Sequence, residues 1–209
     1  MKNFLFFDLD GTLADTDRDI REAWKAAIAD AGMRCADFDE KFVAGPPFDE
    51  MAKMLFPNEY TPELGERFKR SFAHHYDGDG FPNTFEYPGI AEELKALKRM
   101  GKRMYIVTNK RYIGAMAMAR HFGWDKIFDG LYAGDMYPEG KLRKPALLRR
   151  VIGELKAEPS ESVLIGDTLL DFEAARENGI ESIGVTWGYG KREELEHADK
   201  LCSHLPFPL

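Results

Sequence analysis

Four short runs of the chain are apolar through most of their length, and polar or glycine-containing sequence bounds each one. They are Phe4–Phe7, Met104–Val107, Val163–Ile165 and Ile183–Val185. None shows the in–out alternation of a half-exposed strand, so they predict strands covered on both faces, as in a parallel sheet. Gly130-Leu131-Tyr132-Ala133 is a weaker fifth run. Between the runs the spacing becomes helical. Ile90, Leu94 and Leu97 share a face and stop at Gly101, and Ile113, Met116 and Ala117 continue to a stop at Gly123. Pro145 suits a first helical turn, with Leu147, Leu148, Val151, Ile152 and Leu155 behind it. Leu169 to Asn178 predicts a further helix, ended by Gly179. Strands alternating with helices predict an α/β fold, a doubly wound parallel sheet with right-handed crossovers.

One stretch breaks the alternation. From Asp15 to about Tyr87 the pattern offers no convincing strand. Asp15, Thr16 and Asp17 supply helix caps, and Ile20, Trp24, Ala27, Ile28 and Ala31 form an apolar stripe that stops at Gly32. Helices are expected from about Phe48 to Leu55 and from about Thr61 to Tyr76, separated by Pro57. Asp77 to Pro88 holds Gly78, Gly80, Pro82 and Pro88, which suits a linker. A structureless connection of this length is implausible in a compact domain. The expected organisation is therefore an α/β core of residues 1–14 and 88–209 and a helical domain of residues 15–87. Trp24, Phe56, Phe68 and Phe72 read as the small core of that insertion.

Composition narrows the class. The 209 residues are 44% hydrophobic and 31% charged, as in soluble globular chains, and the net charge is −7. An acidic surface argues against nucleic acid and anionic membranes as partners, since both reward a basic face. An anionic ligand must then be captured by a local positive site. Cys35 and Cys202 lack CxxC spacing and read as free thiols of a reducing compartment. No run is long enough to span a bilayer, and the N-terminal apolar run is too short for a secretory signal, so a cytoplasmic location is expected. His74 and His75 are adjacent, so a helix would point them apart rather than pair them on a metal.

Three predicted strands end on chemically capable residues. The first ends at Asp8, the second at Thr108-Asn109-Lys110, and the third at Gly166-Asp167-Thr168, with Asp171 just beyond. Open parallel sheets bind ligands outside the carboxyl ends of their strands, so the three clusters are expected at one edge. Asp8, Asp10, Asp167 and Asp171 would then crowd one site, and like charges that close need neutralising. A hard cation with oxygen ligands does so, and Mg²⁺ suits carboxylates plus a phosphate. Lys144 adds a positive group at the start of the Pro145 helix. A nucleophile, neutralised charge and a hydroxyl are the equipment of phosphoryl transfer. Asp8 would attack phosphorus, Asp10 would act as acid and then base, and Gly11 would let the chain turn after them.

These residues also carry a resemblance. Asp8-Leu9-Asp10-Gly11-Thr12-Leu13 resembles the first motif of the haloacid dehalogenase-like superfamily, Thr108-Asn109 its second, Lys144 its third, and Gly166-Asp167-Thr168-Leu169-Leu170-Asp171 its fourth. The order is right, and the match spans essentially the whole chain. The helical insertion is similar to the family's small cap. Tyr87-Pro88-Gly89-Ile90, Thr108-Asn109-Lys110 and Thr186-Trp187-Gly188-Tyr189-Gly190 resemble the phosphoglycolate phosphatase-like branch more narrowly. The resemblance implies a Rossmann-like core and a Mg²⁺-dependent phosphatase acting on a small phosphorylated metabolite, with 2-phosphoglycolate the leading candidate. It implies Asp8 as nucleophile and metal ligand, and Asp10 as acid/base with its carbonyl on the metal. Thr108 and Asn109 would hold phosphoryl oxygens, and Lys144 would bridge the phosphate and Asp8. Asp167 would ligate the metal, with Asp171 behind it or reaching it through water. Lys110 and Gly45, the latter in the Gly45-Pro46-Pro47 loop of the cap, are candidate substrate contacts. Glu139-Gly140-Lys141-Leu142-Arg143-Lys144 leaves Lys141 and Arg143 as competitors for the third-motif role.

Rival readings stand beside this one, among them a phosphatase acting on a nucleotide or another sugar phosphate. A phosphomutase of the same architecture would return the phosphoryl group to a sugar. A non-catalytic relative would show a broken motif, and none is broken here. Oligomeric state has no signature in the chain.

Overall fold

The computed structural model describes residues 2–78, 81–138 and 140–209. Gly80 of the expected linker and Glu139 of the basic segment lie outside the described residues. The chain separates into two compact units, Met1–Asp15 with Glu86–Leu209, and Thr16–Phe85.

The first unit opens on β1 (Phe4–Phe7) and β2 (Ala14–Asp15). The chain then forms the helical unit from α1 (Asp17–Asp30), α2 (Phe38–Lys41), α3 (Phe48–Leu55) and α4 (Pro62–Gly78). It continues through β3 (Phe85–Glu86), α5 (Ile90–Arg99), β4 (Arg103–Thr108), α6 (Tyr112–His121) and β5 (Gly130–Ala133). The remainder is α7 (Lys144–Leu155), β6 (Ser162–Gly166), α8 (Leu169–Glu177), β7 (Glu181–Val185), α9 (Arg192–Leu195) and β8 (Lys200–Cys202).

Six strands form one sheet in the order β5-β4-β1-β6-β7-β8, parallel at each pairing. The apolar runs are strands because both faces are covered. Phe4, Phe6, Tyr105, Val107 and Leu164 pack with Leu147, Leu148 and Val151 of α7 and Ala174 and Ala175 of α8. From β1, Phe7 meets the rings of Phe128 and Phe207 instead. Fully burying each such side chain contributes about 1.5–3 kcal/mol.

In the helical unit, Trp24 is the hub. Its ring stacks on Phe48 at a centroid distance of 4.0 Å and meets Phe68 at 6.1 Å and Phe72 at 5.9 Å. Aromatic residues at helical spacing thus form a core here, as expected of an insertion that must bury its own apolar faces.

Two expectations needed correction, and one strand was not foreseen. α6 does not bury Ile113, which is 67% exposed; its inner face is Gly114, Ala115, Met118 and Ala119. Small residues carry weak apolar signal yet allow close packing. The stretch from Asp15 to Tyr87 does contain strand: β3 pairs with β2 in a separate two-stranded sheet, too short for any periodicity. β8 extends the main sheet, although its Lys200 and Leu201 are exposed, as an edge strand permits. Among the described residues, no helix is long and apolar enough to cross a membrane.

Candidate active site

β1 lies between β4 and β6, where the order of strands along the chain reverses. Phe7 is level with Ile106 of β4 and Ile165 of β6. Asp8 therefore emerges beside the strand ends that lead to Thr108 and Asp167. The Asp8 N–H still donates to the Ile165 carbonyl at 2.9 Å, which holds it at the sheet edge. A reversal in strand order opens a crevice at the carboxyl ends of a parallel sheet, and these residues stand at that edge.

Asp8, Asp167 and Asp171 each offer a carboxylate oxygen, and the three oxygens lie within 4.8 Å of one another. Asp8 is 8% exposed, while Asp167 and Asp171 are fully buried. Lys144, 3% exposed, reaches Asp8 Oδ1 at 2.7 Å and Asp171 Oδ1 at 2.5 Å. It does so because α7 begins at Lys144 with Pro145 in its first turn. Lys141 and Arg143 are exposed.

Asp171 also accepts from the Thr168 N–H at 3.1 Å and the Thr168 hydroxyl at 2.9 Å, two bonds that hold the start of α8. Gly166 ends β6 because a Cβ there would stand 2.2 Å from Asp171 Cγ. The resemblance implies Asp171 behind the metal or reaching it through water; its carboxylate stands beside those of Asp8 and Asp167 and is paired with Lys144. Asp10 is turned to another partner. Its Oδ1 receives Lys110 Nζ at 2.9 Å, and the Lys110 N–H donates to Thr108 Oγ1 at 3.1 Å. Thr108 is buried and Asn109 half-buried. Gly45 lies in the helical unit, in the loop before α3, with a left-handed φ of 120°.

The charge balance has consequences. Burial, with the neighbouring charges of Asp171 and Asp10, pushes the Asp8 carboxyl up to about 7 despite Lys144. Burial, then Asp171 and Asp8, holds Asp167 well above the usual carboxylate range, against donors from the Tyr189 backbone and Thr12. Burial opposes the charge on Lys144, but Asp171 and Asp8 together raise it above an ordinary lysine. Three buried carboxylates around one ammonium leave an excess of two negative charges when all ionise. Oxygen donors with that excess fit a divalent cation of the Mg²⁺ type.

The sequence matches the family described as "Haloacid dehalogenase-like hydrolase" over residues 5–185. The chain belongs to the haloacid dehalogenase-like hydrolases. It is 34% identical to a phosphoglycolate phosphatase of Agrobacterium fabrum over 194 residues, covering 88% of this chain and 80% of that one. It is 31% identical to a 5′-nucleotidase of Pseudomonas aeruginosa, covering 91% and 86%. The crystal structure of CbbY from Rhodobacter sphaeroides in complex with phosphate superposes with a TM-score of 0.81 at 26% identity, covering 97% and 94%.

In this haloacid dehalogenase-like hydrolase, two contacts on Asp167 had no place in the sequence reading. Thr12 Oγ1 donates to Asp167 Oδ1 at 2.9 Å, and the Tyr189 N–H donates to Asp167 Oδ2 at 2.8 Å. In the sequence Thr12 stands only as part of the first motif. Trp187-Gly188-Tyr189-Gly190 follows β7, at the same sheet edge as the other clusters, and that position was its available signal.

Proposed function

We propose that this phosphatase hydrolyses a small phosphomonoester, with 2-phosphoglycolate as leading candidate, through an aspartyl phosphate on Asp8 and with Mg²⁺ as its cation. The observation that carries the reading is the buried Asp8–Lys144–Asp171 arrangement beside Asp167, with Asp10 held separately by Lys110. One carboxylate is placed to attack while another, held by Lys110, stands apart from the carboxylate cluster as the acid and base.

An Asp8 oxygen attacks phosphorus and the bond from phosphorus to the leaving oxygen breaks, while Asp10 gives that oxygen its proton. Asp10, now ionised, takes a proton from water as the water oxygen attacks phosphorus. The Asp8–phosphorus bond then breaks, and phosphate leaves. Lys144 stabilises Asp8 in its ionised, nucleophilic form. Thr108 and Asn109 would hold phosphoryl oxygens and keep phosphorus in line with Asp8. Asp8 and Asp167 with the Asp10 carbonyl would hold the cation, Asp171 stands at the same cluster, and the bound ion would neutralise charge on the phosphoryl group.

Lys110 and Gly45 are the proposed substrate contacts, and Lys110 supplies a local positive charge on an acidic chain. The proposal needs no nucleic acid or membrane partner and fits a cytoplasmic enzyme. The similarity to phosphoglycolate phosphatases supports the leading substrate; the similarity to a 5′-nucleotidase supports nucleoside monophosphates as a second class. A panel of phosphate esters assayed with and without Mg²⁺ decides between them. The expected result is Mg²⁺-dependent phosphate release, fastest from 2-phosphoglycolate. In the same assay Asp8→Asn should lose at least about 10³-fold in kcat. Near wild-type turnover in that variant would refute the nucleophile assignment.

A further inference from the structure

We infer that Tyr189 is a positioning residue that ties the orientation of Asp167 to Asp15, the last residue of the core unit before the chain enters the helical one. The inference rests on the reading of Asp167 as a cation ligand and adds to it residues outside the four motifs.

The segment after β7 runs directly against Asp167. A Cβ at Gly188 would lie 2.3 Å from Asp167 Cβ and 2.4 Å from the Gly11 carbonyl oxygen. One at Gly190 would lie 1.7 Å from the Asp167 carbonyl oxygen. Tyr189 is flanked by two residues without side chains because its backbone must come this close for its N–H to reach Asp167 Oδ2. The tyrosine ring then carries its hydroxyl to Asp15, donating to Oδ1 at 3.0 Å. Tyr189 thus hydrogen-bonds at both ends, to a carboxylate of the cluster and to the end of β2.

A parallel link reinforces the other oxygen. Trp187 Nε1 donates to the Thr12 carbonyl at 3.2 Å, and the Thr12 hydroxyl donates to Asp167 Oδ1. Both Asp167 oxygens are therefore aimed by groups that the 187–190 segment contacts. Such outer partners fix a ligand's lone pairs toward the ion, and losing one typically costs 10–100-fold in metal affinity. Release of the hydroxyl from Asp15 frees the ring and lets the N–H drift from Asp167. The cation is then held less well although no ligand has changed.

The test is Mg²⁺ binding to the full chain by titration calorimetry, with melting in EDTA as the check on folding. Tyr189→Phe should weaken Mg²⁺ binding about tenfold at unchanged melting temperature. Asp15→Ala should do the same, and the double variant should be no weaker than either single one, because both cut one hydrogen bond. Asp15→Asn keeps an acceptor oxygen and should bind as wild type does. Unchanged affinity in Tyr189→Phe, or additive losses in the double variant, would overturn the inference. Should Tyr189→Phe fail to fold, Asp15→Ala against Asp15→Asn makes the same comparison. Asp167→Asn separates the two readings. Its loss of binding supports the cation assignment even if Tyr189→Phe has no effect, whereas wild-type binding in Asp167→Asn refutes that assignment itself.

Discussion

Asp19 and Asp167 are both buried carboxylates, one in each unit, and their surroundings differ in kind. Asp19 lies in the first turn of α1. Its oxygens accept from the Asn83 N–H, the Asn83 side-chain amide and the Thr84 hydroxyl, at 2.7 to 3.2 Å. Neutral donors satisfy it, and no further buried carboxylate is among these partners. Asp167 accepts from a hydroxyl and a backbone N–H but shares its site with two further buried carboxylates. The first arrangement closes on itself and joins two segments of chain. The second leaves negative charge, once its carboxylates ionise, that an added cation would balance. Burial alone does not mark a functional carboxylate; burial beside like charge does.

The largest effect should come from removing Lys144, the cation paired with Asp8 and Asp171. Lys144→Met leaves Asp8 and Asp171 buried without their counter-charge. Losing one partner of a buried pair costs about 3–5 kcal/mol, so urea unfolding should show a drop of that size together with loss of turnover. A stable, active Lys144→Met enzyme would erase the distinction between the two carboxylate environments.

A smaller effect follows from pH. The Asp8 carboxyl titrates near 7 in the folded metal-free protein and near its ordinary value of 3.8 when unfolded. Between those values the folded state binds the extra proton. Its stabilising contribution is complete below about 3.8 and is lost as pH rises through about 7. Asp167, also raised, acts in the same direction. Melting temperature in EDTA should therefore fall from pH 5 to pH 8, and Mg²⁺ should restore it most at the higher pH. The smallest catalytic effect belongs to Asp19. Asp19→Ala strands the Asn83 and Thr84 donors and should cost about 1–3 kcal/mol by urea unfolding, with kcat unchanged.

The sheet was legible because parallel strands buried on both faces cannot avoid apolar runs, and β1, β4, β6 and β7 each contain one. Gly130–Ala133 read more weakly and is β5, half-buried through most of its length. The face of α6 was not legible, since glycine and alanine pack there by being small. β8 carries an exposed leucine and lysine, and β2 and β3 are two residues each, too short to leave a pattern. In the site, strand ends announced Asp8, Thr108 and Asp167 because topology alone brings them together. The crowding of Asp171 with Asp8 and Asp167 follows from its place just beyond a strand end, but its contacts to Thr168 and Lys144 depend on the geometry of the first turn of α8, which residue types do not reveal. Tyr189 acts on Asp167 through its backbone N–H, a group every non-proline residue has. Only the flanking Gly188 and Gly190 hint at the close approach.

The central claim is that Asp8 takes the phosphoryl group before water does. The stereochemical course at phosphorus tests it most directly, using an ester made chiral with oxygen isotopes and following the configuration when phosphoryl is captured by an added alcohol acceptor. Two successive in-line displacements, onto Asp8 and then onto the acceptor, predict overall retention. Inversion would mean a single direct displacement, and the aspartyl phosphate on Asp8 would have to be abandoned.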